Sequence, residues 1–286
     1  MTSTGTDIDS HRGFPSELTD EIIDHALFTE NTRYGYPDPR VLGACSLVCR
    51  SWLNRARYHL FRRVWLGSNF LGRSRAFIVI LSSPLSTIAP FVWHLSLEGG
   101  GHEGVEGMEE WYEWQTTTLR AVRALSHVKH LWITQIHFDE LAEYGQPTRC
   151  FFDSFPKLKE LVFYRCHFAT FRDFTNALSC PFLTDISLGG VRVYGIANLM
   201  DPPPSLPRLK SLDIAFPITD TQIHMMMWFS SSKYLSTLET LLLSDVRAPD
   251  SPYIAAFVHT FLETPRNTSR QLATGYNVLS RYTFVC

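Results

Sequence analysis

The chain has 286 residues, 45% apolar and 13% aromatic, enough to furnish the core of one large domain or two modest ones. Its 26 Lys and Arg stand against 28 Asp and Glu for a net charge of −2, so no global field argues for a nucleic acid or a membrane as partner. The most apolar window, Ala76 to Leu81, is far too short to span a bilayer, and the residues before Phe14 hold no apolar signal core; a soluble, unsecreted protein is expected.

Residues 1–13 are polar and expected to be disordered. From Phe14 the sequence reads FPSELTDEIIDHALF, in which Pro15 suits the opening turn of a helix and Leu18, Ile22, Ile23 and Phe28 recur near three and four residues apart. Glu17, Asp20, Glu21 and Asp24 take the other face and complement the positive end of the helix dipole. After the polar gap Thr29 to Pro39, the run VLGACSLVCRSWLNRARYHLFRR repeats the helical spacing through Ala44, Leu47, Val48, Trp52, Leu60, Phe61 and Val64, with five arginines from Arg50 to Arg63 as polar complement. Two or three short helices this apolar cannot bury all their surface against one another, so part of it is expected to meet a partner.

These residues resemble the F-box family, the helical module by which substrate receptors dock onto the Skp adaptor of cullin-based ubiquitin ligases. The resemblance rests on Phe14-Pro15, Glu17-Leu18, Ile22-Ile23, Ala44 to Trp52 (ACSLVCRSW) and Arg57 to Phe61 (RYHLF), and gives a module over 14–65. It implies that Phe14, Pro15, Leu18, Ile22, Leu47, Val48, Cys49, Trp52 and Leu53 carry adaptor docking, shared with the module's own core.

From Pro39 to Leu97 there is no Asp or Glu but there are eight Arg, whereas Glu98 to Glu113 carries six Glu and no Lys or Arg. The basic run reads first as a solvated face, and second as a patch that steers a partner. The Gly- and Glu-rich stretch 98–113 reads as a loop whose Trp111, Tyr112 and Trp114 either fold back on the core or capture a basic partner.

One spacing, apolar at positions 0, +3 and +5, recurs six times: Val92-Leu95-Leu97, Val128-Leu131-Ile133, Leu158-Leu161-Phe163, Leu183-Ile186-Leu188, Leu209-Leu212-Ile214 and Leu238-Leu241-Leu243. The last two positions of each triplet share one face of a strand, and the residue between them points the other way. Between triplets the period turns helical, as at Phe171, Phe174 and Leu178, at Ile223, Met226 and Met227, and from Tyr253 to Leu262 after Ser251-Pro252. This frame resembles a divergent leucine-rich repeat. The resemblance implies an irregular α/β solenoid over 90–263 whose concave face is lined by Ser96, Trp132, Val162, Ser187, Asp213 and Leu242, with Cys166 at the turn position the family fills with Asn or Cys. Pro202-Pro203-Pro204 reads as an extended connector, and 264–286 as an irregular tail.

Marks of catalysis are sparse. The cluster Gly99 to Gly101 lacks a following Lys-Ser/Thr, and neither G-x-S-x-G nor H-E-x-x-H occurs. His127, His130 and His137 lie in a strand context where a joint metal site fails on geometry, so neither metal nor cofactor is expected. The six cysteines form no C-x-x-C pair, which suits thiols in the cytoplasm or nucleus. Met225 to Trp228 reads first as core filler and second as an adaptable contact. The expected function is a non-enzymatic substrate receptor whose partners are a Skp-type adaptor, a cullin and a protein target; the alternative is a binding scaffold with no part in ubiquitin transfer.

Overall fold

The structure, a computed structural model, describes residues 16–27, 39–67, 71–100, 108–143, 151–195, 209–215, 220–231, 236–244, 252–263 and 271–275. The expected disordered segment 1–13, Phe14 and Pro15, and the connector Pro202 to Pro204 lie outside the described residues. The chain divides into two units, Met1–Arg62 and Arg63–Cys286.

The first unit holds three helices, α1 (Ser16–Leu27), α2 (Pro39–Val48) and α3 (Arg50–Phe61). Its core is Ile23, Leu42, Cys45 and Ala56, with Val41, Trp52 and Leu60 packed against them. The predicted stripe Ala44-Leu47-Val48-Trp52 does not form one buried face. Cys49 adopts an extended backbone (φ −162°, ψ 171°) and caps α3, which breaks the helical phase between Val48 and Trp52. Within α2 itself Leu42 and Cys45 take the inward face, and Ala44, Leu47 and Val48 are exposed. The Asp24 carboxylate of α1 accepts from Arg55 Nε at 2.8 Å, from Arg55 Nη2, and from His59 Nε2 at 2.8 Å, which clasps α1 to α3.

The second unit is mixed α/β, a parallel sheet whose strands alternate with helices. Its strands are β1 (Arg63–Gly67), β2 (His94–Glu98), β3 (His130–Thr134), β4 (Glu160–Tyr164), β6 (Asp185–Gly189), β8 (Ser211–Ala215), β9 (Thr240–Ser244) and β10 (Gln271–Gly275), paired in that order into one eight-stranded sheet. The short strands β5 (His167–Thr170) and β7 (Arg192–Gly195) form a second parallel pair. All six predicted triplets fall in register: Leu95, Leu131, Leu161, Ile186, Leu212 and Leu241 are successive partners, as are Leu97, Ile133, Phe163, Leu188, Ile214 and Leu243. Every one of these side chains is buried. Period-two alternation and β-branched or leucine side chains suit a sheet with one buried face.

The sheet exceeds the predicted span at both ends. Its first strand begins at Arg63, inside the segment assigned by sequence to the helical module, and β10 lies in the expected irregular tail, hydrogen-bonded in register to β9. The Glu-rich segment is also not all loop. Helix α5 (Met108–Val122) starts inside it and buries Trp114, Thr118, Leu119 and Val122, so that Trp114 belongs to the core.

Helices α4 (Leu71–Ser82), α6 (Phe138–Glu143), α7 (Phe171–Ala177), α8 (Asp220–Ser231) and α9 (Pro252–Glu263) complete the unit. The predicted stripe Phe171-Phe174-Leu178 is buried, and Thr170 caps α7 by accepting from Asp173 N at 3.1 Å. On α8 Met226 is buried but Met227 is 53% exposed, since Met225, Trp228 and Phe229 define the inward face. Aromatic rings fill the interior: Phe138 stacks on Phe168 at 4.9 Å, and Phe163 and Phe174 meet Phe168 edge-on at 5.2 and 5.6 Å.

The turns after three strands share one device. Gln135, Arg165 and Gly190 follow β3, β4 and β6 with φ of 55°, 53° and 61°, and each is followed by a buried residue, Ile136, Cys166 or Val191. The predicted turn cysteine does sit here: Cys166 Sγ donates to Ile133 O at 3.3 Å, and burial pushes its thiol up to about 12. Glycine is required for space at Gly99, where an added Cβ would lie 2.1 Å from the Gln135 carbonyl oxygen.

Candidate functional site

Three places on the molecule carry more chemistry or more apolar exposure than folding requires. The first is on the helical unit. Along α1, Thr19 and Ile23 turn inward while Leu18 (46% exposed) and Ile22 (44%) form a second apolar stripe four residues apart on the outside. At the end of α2, Leu47 is 86% and Val48 60% exposed. The neighbouring Cys49 is exposed as well, and its thiol is held below the usual range by the Ser51 hydroxyl at 3.0 Å and by the Trp52 amide. Trp52 and Leu53 are half-buried, with Trp52 contributing to the unit's own core. Of the predicted docking residues, Leu18, Ile22, Leu47, Val48 and Cys49 are thus at the surface.

The second place is the sheet face opposite the buried one. Ser96, Trp132, Val162, Ser187, Asp213 and Leu242 occupy one continuous row across β2 to β9, as their spacing predicts, and Trp65 extends the row on β1. Asp213 departs from its predicted role as an open contact: it is buried, and its carboxylate accepts from Ser187 Oγ at 3.2 Å and Ser244 Oγ at 3.4 Å. A buried carboxylate needs such donors, and these come from the two flanking strands.

Sequence reasoning named only this middle row, although the same alternation places a second row on the same face: Arg63, His94, His130, Glu160, Asp185, Ser211 and Thr240. Within it the His94 and His130 rings stack at 4.0 Å, and His130 Nδ1 donates to Glu160 Oε2 at 2.6 Å. That hydrogen bond holds the Glu160 carboxyl below the ordinary carboxylate range despite partial burial. Beside the row the Lys129 ammonium lies 3.8 Å from the centre of the Trp93 ring.

The third place was not legible in the sequence. The turn after β3 and the start of β5 run side by side through an isolated parallel bridge between His137 and His167, and the two rings stack at 4.1 Å and 20°. His137 Nδ1 lies 3.1 Å from Glu140 Oε1, and His167 Nδ1 lies 3.2 Å from the Tyr194 hydroxyl. Burial, followed by the neighbouring His137, pushes the His167 imidazole below its usual range. Asp139 completes the group: its Oδ1 is buried and has no hydrogen-bond partner among the described residues. Of the three histidines weighed from sequence, His127 Nδ1 lies 3.4 Å from Ser126 Oγ, His130 pairs with Glu160, and His137 stacks on His167, thirty positions further along the chain.

The buried thiols Cys166 and Cys180 are both pushed up to about 12 by burial and are not nucleophiles at neutral pH. No helix among the described residues is long and apolar enough to cross a membrane. No protein-family model matches the chain. No curated protein matches it either.

Proposed function

We propose that this chain is a substrate-recruiting F-box subunit of a Skp-cullin type ubiquitin ligase. The helical unit docks onto the adaptor through an apolar patch drawn from Leu18, Ile22, Leu47, Val48 and Cys49, with Phe14, Pro15, Trp52 and Leu53 as further members. The parallel strands form a leucine-rich-repeat solenoid whose rows of polar and aromatic side chains hold a protein target. Transfer chemistry belongs to other subunits, so this chain contributes proximity and orientation.

One observation carries the reading: a small unit that has completed its own core from Ile23, Leu42, Cys45 and Ala56 still leaves four large apolar side chains in water. Scattered exposed leucines are ordinary, but paired ones on successive helices of so small a unit mark a surface for a partner. The register of six triplets supports the repeat reading in the same way.

The test is reconstitution. The full chain is co-expressed with a Skp-type adaptor and a cullin, and recovery of the complex is compared with that of a Leu47→Asp, Val48→Asp variant. Recovery by the wild type and loss by the variant support the proposal. A wild-type chain that binds other proteins but never the adaptor favours the scaffold reading.

A further inference from the structure

We propose that His137, Asp139 and His167 form a binding site for a divalent first-row transition-metal ion of the zinc class. The inference rests on the second unit alone and is independent of adaptor docking. Each of the three residues offers one ligand atom, and the three atoms lie within 4.8 Å of one another. Two imidazoles and a carboxylate are the donor set that borderline ions such as Zn2+ prefer over Mg2+ or Ca2+. Three protein ligands leave a fourth position for water.

The backbone brings these donors together. His137 and His167 are bridged as parallel partners, so their side chains leave successive turns on the same side. Asp139, two residues after His137, lies in the first turn of α6. The surroundings match what a coordinated imidazole needs on its far nitrogen: Glu140 meets His137 Nδ1 at 3.1 Å, and the Tyr194 hydroxyl meets His167 Nδ1 at 3.2 Å. Such partners fix the ring and direct Nε2 toward the ion.

Asp139 supplies the second, independent sign. A buried carboxylate oxygen with no donor is costly unless a cation meets it, and Asp139 Oδ1 is in that condition among the described residues. Arg192, the register neighbour of His167 on β7, is exposed and contributes no ligand.

The test uses the full chain, stripped with a chelator and titrated with ZnCl2 by calorimetry, with MgCl2 in parallel and metal content measured after desalting. The expected result is a single saturable equivalent of Zn2+ and no Mg2+ uptake. His167→Ala and Asp139→Asn should each abolish that equivalent, and Tyr194→Phe should weaken it about tenfold. His94→Ala, at the other stacked pair, should leave it unchanged. Circular dichroism verifies each fold, and if His167→Ala unfolds, the isosteric Asp139→Asn decides. A Co2+-loaded sample should show ligand-field bands without a sulfur-to-cobalt charge-transfer band. Absence of stoichiometric Zn2+ from the wild type, equal uptake by Asp139→Asn, or a sulfur-to-cobalt band would each overturn the proposal.

Discussion

Arg55 grips Asp24 with two nitrogen donors, Nε and Nη2, so that α3 is tied to α1 by a forked pair rather than by a single contact. The side chains are 30% and 33% exposed, and solvent screening limits what the pair contributes.

The pair sets an acid sensitivity. Hydrogen bonding to Arg55, with His59 as a further donor, lowers the Asp24 pKa below the ordinary value, so its contribution is present above the unfolded-state carboxylate value and is lost as pH falls through the folded one. Asp24→Asn should destabilise the chain by about 1 kcal/mol at neutral pH. The difference from wild type should shrink as pH drops below about 4. Urea melts at a series of pH values check both parts; a gap that stays constant into acid would exclude Asp24 as its source.

Cysteine reactivity should follow the thiol environments. Cys49 is exposed with its pKa lowered by Ser51 and Trp52, whereas Cys166 and Cys180 are buried and pushed up to about 12. Mass spectrometry after brief iodoacetamide treatment of the folded chain should find Cys49 alkylated and the two buried thiols intact. Ser51→Ala should shift the Cys49 rate profile to higher pH.

Gly99 should tolerate no side chain. A Cβ there would stand 2.1 Å from the Gln135 carbonyl oxygen and 2.6 Å from Gln115 Nε2, and the carbonyl belongs to backbone that cannot swing aside. Gly99→Ala should cost about 1–3 kcal/mol, the usual range for overpacking. Gly72→Ala, with nothing within 4 Å of the added atom, is the matched control and should be neutral or stabilising.

Core and surface leucines of the helical unit should part company. Leu42 is 1% exposed and Leu47 86%. Leu42→Ala should cost about 2–5 kcal/mol. Leu47→Asp should change stability by no more than about 0.5 kcal/mol. Thermal melts distinguish them, and a large loss from Leu47→Asp would mean that this side chain serves the fold rather than a partner.

The strands were readable where apolar spacing alone determines them. Where two periods compete, the reading slipped: Phe61, Val64 and Leu66 obey the strand spacing, yet Leu60, Phe61 and Val64 also continue the helical stripe of α3, and the helix hid β1. In β10 (QLATG) only Leu272 is a large apolar residue, so backbone pairing to β9 does what side-chain pattern cannot advertise. The helical onset at Met108 was masked by surrounding glycines and glutamates. The open row through His94 and His130 was derivable from alternation, but the approach of His137 to His167 was not. It depends on how two turns lie against each other in space, and one-dimensional periodicity carries no such information.

Because each strand of the large sheet is hydrogen-bonded to those immediately before and after it in the sheet order, no ladder among the described residues joins its first member to its last. Damage therefore stays local. Losing β10 would bare the edge of β9 and break no other ladder, so opening is expected to begin at the ends of the sheet and to reach β4 and β6 last.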